Sequence, residues 1–216
     1  MAPDAGFLCG ARAIAAPIAV TEPIDVRERT QLCDLLLDLG PDAPTLCEGW
    51  TTADLAAHLV LREHFHRWSD AQRATEKAKG LTAVVARLRA GAPLVPWRMP
   101  RLREILNGLE YFIHHEDVRR ANGRDPRPEE ADLEALAWRM TGYSARRLER
   151  AIRPFGLELV NPEGQRKHRG AADAAVLSGP ATELILYLGG RRATAHVTLS
   201  GSAEAMAAVE RSTIGL

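Results

Sequence analysis

The chain has 216 residues, 46% of them apolar and only 5% aromatic, and its 28 basic and 28 acidic side chains cancel to a formal charge of zero. That apolar content supports a sizeable core and argues against disorder, while the charge balance gives no global attraction to nucleic acid or an anionic membrane. The three cysteines (Cys9, Cys33, Cys47) are an odd number without C-x-x-C spacing, which argues against a disulfide framework or cysteine zinc site and fits a reducing, cytoplasmic setting.

Residues 1–22 read as a loose tail rich in Ala, Pro and Gly. Gly10, Arg12 and Pro17 interrupt what would be the apolar stretch of a secretory leader, and no apolar run approaches the roughly 18 residues of a membrane span. From Asp25 a helical period begins: Val26, Thr30, Cys33, Leu36 and Leu37 share one face, and Gly40-Pro41 ends it. The next helix starts at Trp50-Thr51-Thr52-Ala53-Asp54. Thr51 is the N-cap, Asp54 completes a capping box, Trp50 can staple against Leu55, and the period carries the helix to about Gln72.

A shorter amphipathic helix covers Leu81 to Ala90, and a Pro/Gly-rich turn follows through Pro100. A long helix runs from about Arg101 to Asn122, with Ile105, Leu109, Phe112 and Ile113 apolar. Beyond the break at Asp125-Pro-Arg-Pro, Glu129 to Arg153 reads as another, with Leu133, Leu136, Met140, Tyr143 and Leu148 as candidate core. Past Pro154 the pattern changes: Leu157–Val160, Ala174–Leu177 and Thr194–Leu199 look like short strands, with helices at Ala181–Leu188 and Ala203–Arg211. The expected architecture is mainly α: a four-helix bundle over residues 23–153, then a small α+β module over 154–216, too small to stand without packing on the bundle.

The chemistry concentrates in Glu110-Tyr-Phe-Ile-His114. Positions i and i+4 stack on one helix face, so both side chains can reach one point, and Asp117 follows at i+7 on the same face beside Leu106, Leu109 and Ile113. Burying a carboxylate with an imidazole costs several kcal/mol unless something compensates. A metal ion would do so, with Asp117 or Glu116 orienting a ligand from behind. The same spacing also describes an ordinary Glu–His helix pair worth a few tenths of a kcal/mol. His58, inside the apolar Ala56-Ala57-His58-Leu59-Val60 of a different helix, reads either as a hydrogen-bonded core histidine or as a third ligand. Two histidines and one glutamate would leave a coordination position open, as catalytic zinc sites do.

The segment Glu48-Gly49-Trp50-Thr51-Thr52-Ala53-Asp54-Leu55-Ala56-Ala57-His58-Leu59 resembles the signature of the DinB-like metal proteins, and within them the actinobacterial mycothiol-dependent maleylpyruvate isomerase branch. In that family the first ligand is the histidine of W-[ST]-x-x-D-L-x-x-H, which matches His58; an E-x-x-x-H-x-x-D helix supplies the others and matches Glu110, His114 and Asp117. The resemblance covers roughly Val26 to Arg153, and Val176–Arg191 more loosely resembles the family's C-terminal α/β module. It implies a divalent ion, zinc first, with an open position for water or for the sulfur of mycothiol or another low-molecular-weight thiol. It also implies an arginine from the C-terminal module near the metal, for which Arg191 and Arg192 are the candidates. Asp117 and Arg191 are the implied catalytic residues, and an arginine there can hold a substrate carboxylate in bidentate fashion.

Other polar residues read as bystanders. His64 and His66 point away from His58, and His115 is rotated about 100° from His114. Glu63 reads as a solvated charge, Arg146, Arg147 and Arg150 as a solvated stripe, and His196 as a strand residue without a catalytic role. Cys33 reads as core and Cys47 as a loop thiol with no base beside it. The expected function is a thiol-dependent isomerase or S-transferase acting on a small electrophilic substrate. The alternatives are a non-catalytic metal-binding or stress-related module, and a metal-dependent hydrolase with Asp117 as base. The expected partners are the substrate and the thiol, with no nucleic acid and no membrane, in a monomer or homodimer.

Overall fold

The computed structural model describes residues 22–64, 69–91 and 99–213. The expectations for the tail up to residue 21, for Cys9 and for His66 concern positions outside them. Helices α1 (Ile24–Leu39), α2 (Thr52–Glu63), α3 (Asp70–Lys77), α4 (Leu81–Ala90), α5 (Pro100–Ala121) and α6 (Ala131–Ala151) come first. Strands β1 (Gly156–Val160), β2 (Arg166–Arg169) and β3 (Ala174–Ser178), helix α7 (Ala181–Leu188), strand β4 (Thr198–Ser200) and helix α8 (Ala203–Arg211) complete the chain. Among the described residues no helix is long and apolar enough to cross a membrane.

Helix α1 ends where the sequence indicates. Gly40 takes φ 80°, a left-handed conformation that glycine adopts without Cβ strain, and its N–H bonds back to the Leu36 carbonyl at 3.1 Å. Its buried face is rotated from the expected one: Leu37 is 43% exposed, while Ile24, Asp25, Glu28, Arg29, Leu32, Cys33, Leu35 and Leu36 are buried. Three charged residues lie inward because each meets an opposite charge or a strong donor. Asp25 faces Arg103, Glu28 accepts from both Nη atoms of Arg127, and Arg29 donates to Glu63. Apolar periodicity cannot register such a face.

The first core cluster joins Leu32, Leu35 and Leu36 of α1, Leu55, Leu59 and Val60 of α2, Val84, Val85 and Leu88 of α4, and Tyr111 and Val118 of α5. The short α4 thus closes the fourth side of this core. Helix α6 divides its contacts. Its first half, through Leu133, Leu136 and Ala137, packs with Ile24, Leu109 and Phe112 and with Ala181, Ile185 and Leu186 of α7. Its second half, through Ala145 and Leu148, packs on the sheet together with the C-cap residue Ile152. Tyr143, Ile105 and Leu106, expected inward, are 68%, 41% and 38% exposed.

Helix α2 stops at Glu63 rather than reaching Gln72, and α3 begins anew at Asp70. Ser69 caps it, accepting from the Gln72 N–H at 3.2 Å while the Gln72 side chain accepts from the Ser69 N–H at 3.0 Å.

The sheet runs β2-β1-β3-β4, with β1 and β3 parallel and both edge strands antiparallel to their neighbours. Gly156 opens β1 because a Cβ there would lie 2.0 Å from the Ala171 carbonyl oxygen. Strand β2, Arg166-Lys-His-Arg, has no apolar residue and gave no alternation to read. It holds its place as an edge strand, and Lys167 lays its ammonium 4.5 Å from the Trp138 ring centre.

Candidate metal centre

Two helices carry the site, and one loop joins them to each other. The loop before α2 lies along α5: the Leu46 N–H donates to the Asp117 carbonyl at 3.2 Å, and Asn122 Nδ2 donates to the Pro44 carbonyl at 3.0 Å. The capping box then starts α2, with Asp54 Oδ2 accepting from the Thr51 N–H at 3.1 Å and from its hydroxyl at 2.9 Å. Trp50 meets the His58 ring at 5.0 Å between centroids, and Arg73 covers the Trp50 ring at 4.4 Å.

The structure brings His58, Glu110 and His114 together. Each offers one donor atom within 4.8 Å of the other two. Glu110 Oε1 lies 3.8 Å from His58 Nε2 and 3.4 Å from His114 Nε2, and the two imidazoles meet edge to face at 5.6 Å. Donors held about 2.0–2.2 Å from a tetrahedral ion stand roughly 3.3–3.6 Å apart. The two distances from Glu110 Oε1 lie within a few tenths of an ångström of that spacing, the two imidazole donors lie within 4.8 Å of each other, and two imidazoles with a carboxylate are a donor set suited to a divalent ion. Side-chain exposures are 12% for His58, 26% for Glu110 and 7% for His114, so His114 is buried and Glu110 is the most accessible of the three.

Electrostatics favour the ligand form of Glu110. Burial opposes ionisation, but the His114 and His58 imidazoles and the Arg62 guanidinium outweigh it and hold the carboxyl well below the usual carboxylate range. Arg62 Nε lies 3.0 Å from the same Oε1, and its Nη atoms donate to Asn107 Oδ1 and the Leu106 carbonyl, each at 2.8 Å.

His114 has a different environment at each ring nitrogen. Nε2 faces Glu110, whereas Nδ1 lies 2.9 Å from Asp117 Oδ2 and 3.8 Å from Cys47 Sγ. Burial disfavours the imidazolium, yet Asp117, Cys47 and Glu110 together raise the His114 pKa well above the ordinary histidine value. Asp117 is fully buried; burial alone would raise its pKa, but His114 and Arg191 lower it to about 2. Arg191 reaches it from the turn after α7, donating Nε to Oδ1 at 2.8 Å and Nη2 to Oδ2 at 2.6 Å, with Nη1 on the Gly189 carbonyl at 2.7 Å. Its bidentate edge is thus occupied by Asp117.

Cys47 is the residue whose surroundings the sequence did not show. Its Sγ lies 3.3 Å from Asp117 Oδ2 and 3.7 Å from Arg191 Nη2, so carboxylate, imidazole and guanidinium all surround the thiol. Those neighbours come from α5 and from the turn after α7, far away in sequence; the only local signal was its place three residues before the Trp50 motif.

The other singled-out residues lie elsewhere. His64 places Nδ1 2.7 Å from the Val60 carbonyl. His115 is buried with Nδ1 3.7 Å from Glu28, and burial pushes its pKa down. Glu63, expected in solvent, is 1% exposed and accepts from Arg29 at 2.6 Å, from Asn107 at 3.1 Å and from the Tyr111 hydroxyl. Arg192 donates to the Val209 and Ser212 carbonyls at the end of α8. His196 precedes β4, its N–H on Glu183 Oε2 at 2.7 Å. Arg146, Arg147 and Arg150 are exposed on α6.

No protein-family profile and no curated protein matches the sequence. Two solved structures match over 82% of this chain and 90% of their own, each with a TM-score of 0.53. One is the crystal structure of the mycothiol-dependent maleylpyruvate isomerase, at 19% identity; the other is that of a histidine-to-alanine mutant of it, at 18%. In its helical bundle and following mixed sheet, this chain has the DinB-like fold of that isomerase.

Proposed function

We propose that this chain binds one divalent metal ion, zinc in the first instance, through His58, Glu110 and His114, and that it uses a low-molecular-weight thiol to isomerise or S-conjugate a small electrophilic substrate. The observation that carries the reading is the convergence of three donor atoms within 4.8 Å of one another from two helices, with His58 and Glu110 only partly buried. The fold shared with a mycothiol-dependent isomerase supports the choice of thiol chemistry.

When bound, a divalent ion lowers the pKa of a coordinated thiol and supplies a thiolate at neutral pH. The chain's own residues prepare that position. Asp117 accepts the Nδ1 proton of His114 and leaves Nε2 as the ligand atom, Arg191 balances the Asp117 charge, and Arg62 keeps Glu110 ionised. A thiolate that adds reversibly to an activated double bond leaves a rotatable single bond; expelling the thiol returns the geometric isomer, and protonation without expulsion gives the S-conjugate.

The hydrolase reading loses support from the position of Asp117, whose oxygens are engaged by Arg191, His114 and Cys47 and are buried away from a general-base role. The purely structural reading would be favoured by a fourth protein donor closing the site. Cys47 approaches the Nδ1 edge of His114, opposite the Nε2 that faces Glu110. The test is elemental analysis of the purified protein with a thiol titration. One metal per chain in the wild type, its loss in His58→Ala, and saturable metal-dependent thiol binding are expected; a metal-free wild type, or thiol binding indifferent to metal, overturns the proposal.

A further inference from the structure

We infer that Cys47 is a positioning residue for the metal ligand His114, acting through Asp117; the inference rests on the metal site proposed above. Asp117 Oδ2 has three neighbours that can donate to it: His114 Nδ1 at 2.9 Å, Arg191 Nη2 at 2.6 Å and Cys47 Sγ at 3.3 Å. The guanidinium fixes the carboxylate from the C-terminal side, and the thiol fixes it from the loop. With both in place, the oxygen that receives the His114 proton has one position, which sets the tilt of the ring and the direction of Nε2 toward Glu110.

The loop is itself anchored to both metal helices. Leu46 N–H holds the Asp117 carbonyl, Thr45 Oγ1 donates to the Trp50 carbonyl at 3.0 Å, and Trp50 packs on the His58 ring. Cys47 and Trp50 thus bring one short segment against both imidazole ligands, the first from behind His114 and the second beside His58.

A competing assignment is a separate cation site made of Cys47, His114 Nδ1 and Asp117, whose donor atoms also lie within 4.8 Å of one another. Arg191 argues against it. The guanidinium donates twice to Asp117 and stands 3.7 Å from the sulfur, so a cation there would face a fixed positive charge across the same carboxylate. The set is assembled to hold a proton on Nδ1 and leave Nε2 for the ion.

The experiment is a zinc competition titration against a chromophoric chelator, on the full-length wild type, Cys47→Ala and Cys47→Ser. Loss of an outer partner of a ligating histidine weakens metal binding by about 10–100-fold, and a thiol acting through Asp117 is expected at the lower end, about tenfold, in Cys47→Ala. The serine hydroxyl also donates to Asp117, so Cys47→Ser is expected to stay within about threefold of wild type. Nitrogen-15 NMR of the zinc-loaded proteins adds a readout that a packing role would not move: the Nδ1-protonated form of His114 is expected to be uniform in wild type and Cys47→Ser, and broadened in Cys47→Ala.

Wild-type affinity in Cys47→Ala overturns the inference. So does tighter zinc binding, which would mean that the thiol competes for the ring. If the alanine variant does not fold, methylthiolation of folded Cys9→Ser protein caps Cys47 while Cys33 stays buried, and the same tenfold loss is expected; unchanged affinity there refutes it. A wild type that binds no zinc refutes the metal site itself, whereas zinc-binding wild type with unaltered variants refutes the Cys47 role alone.

Discussion

Replacing Glu28 with Gln tests how the bundle holds α5 in place. Glu28 is fully buried and accepts from Arg127 Nη1 at 3.1 Å and Nη2 at 2.9 Å, with His115 Nδ1 3.7 Å away. Arg127 also donates Nε to Glu116 at 3.0 Å and Nη1 to Gln31 at 2.9 Å, and Arg120 links Glu116 to Glu183 of α7. This chain of charges joins α1, α5 and α7 behind the metal ligands. Removing one partner of a buried pair costs roughly 3–5 kcal/mol, and because Arg127 keeps Glu116, about 2 kcal/mol is expected here. For a protein of this size that lowers the melting temperature by about 4–8 °C.

The pH dependence has a definite sign. Burial raises the Glu28 pKa, but the His115 and Arg127 contacts outweigh it and leave the folded value below the ordinary 4.5. Its contribution is therefore fully present above pH 4.5 and disappears as the pH falls through the folded value. Urea unfolding of wild type and Glu28→Gln should show a gap at pH 7 that narrows on acidification below that range. A gap under about 0.5 kcal/mol at pH 7, within the scatter of neutral surface changes, or one that persists unchanged into acid, would refute the reasoning.

Three further outcomes follow from the same geometry. Gly156→Ala should destabilise the C-terminal module by roughly 3 kcal/mol in chemical denaturation, because its Cβ would meet the Ala171 carbonyl oxygen at 2.0 Å and the backbone has to move. Arg191→Lys retains charge but loses the two-pronged contact with Asp117, so a chelator competition should show metal affinity about 10–100-fold weaker. Zinc at a hundred times its dissociation constant should stabilise the wild type by about 2.7 kcal/mol and raise its melting temperature, an effect absent from His58→Ala.

Much of this was legible in the amino-acid sequence because it is local. The Thr51–Asp54 box, the i, i+4 spacing of Glu110 and His114, and the apolar setting of His58 are each contained within one helix, and the structure turns all three ligand candidates to one point. The missing parts are contacts made across the chain. Glu63 reads as a solvated charge until Arg29, Asn107 and Tyr111 arrive from α1 and α5. Cys47 reads as a bare loop thiol until α5 and the turn after α7 surround it. The inward face of α1 was misplaced because Asp25, Glu28 and Arg29 are buried through pairing, which leaves no apolar signature, and β2 was missed because an all-polar edge strand has no alternation.

X-ray absorption spectroscopy of the zinc-loaded protein tests the ligand set most directly. Two imidazole nitrogens and carboxylate oxygen at about 2.0–2.2 Å are expected, with no protein sulfur in the absence of added thiol and a sulfur shell near 2.3 Å appearing when thiol is added. A sulfur shell in the thiol-free protein, or a site whose spectrum survives His58→Ala unchanged, would contradict the assignment of His58, Glu110 and His114.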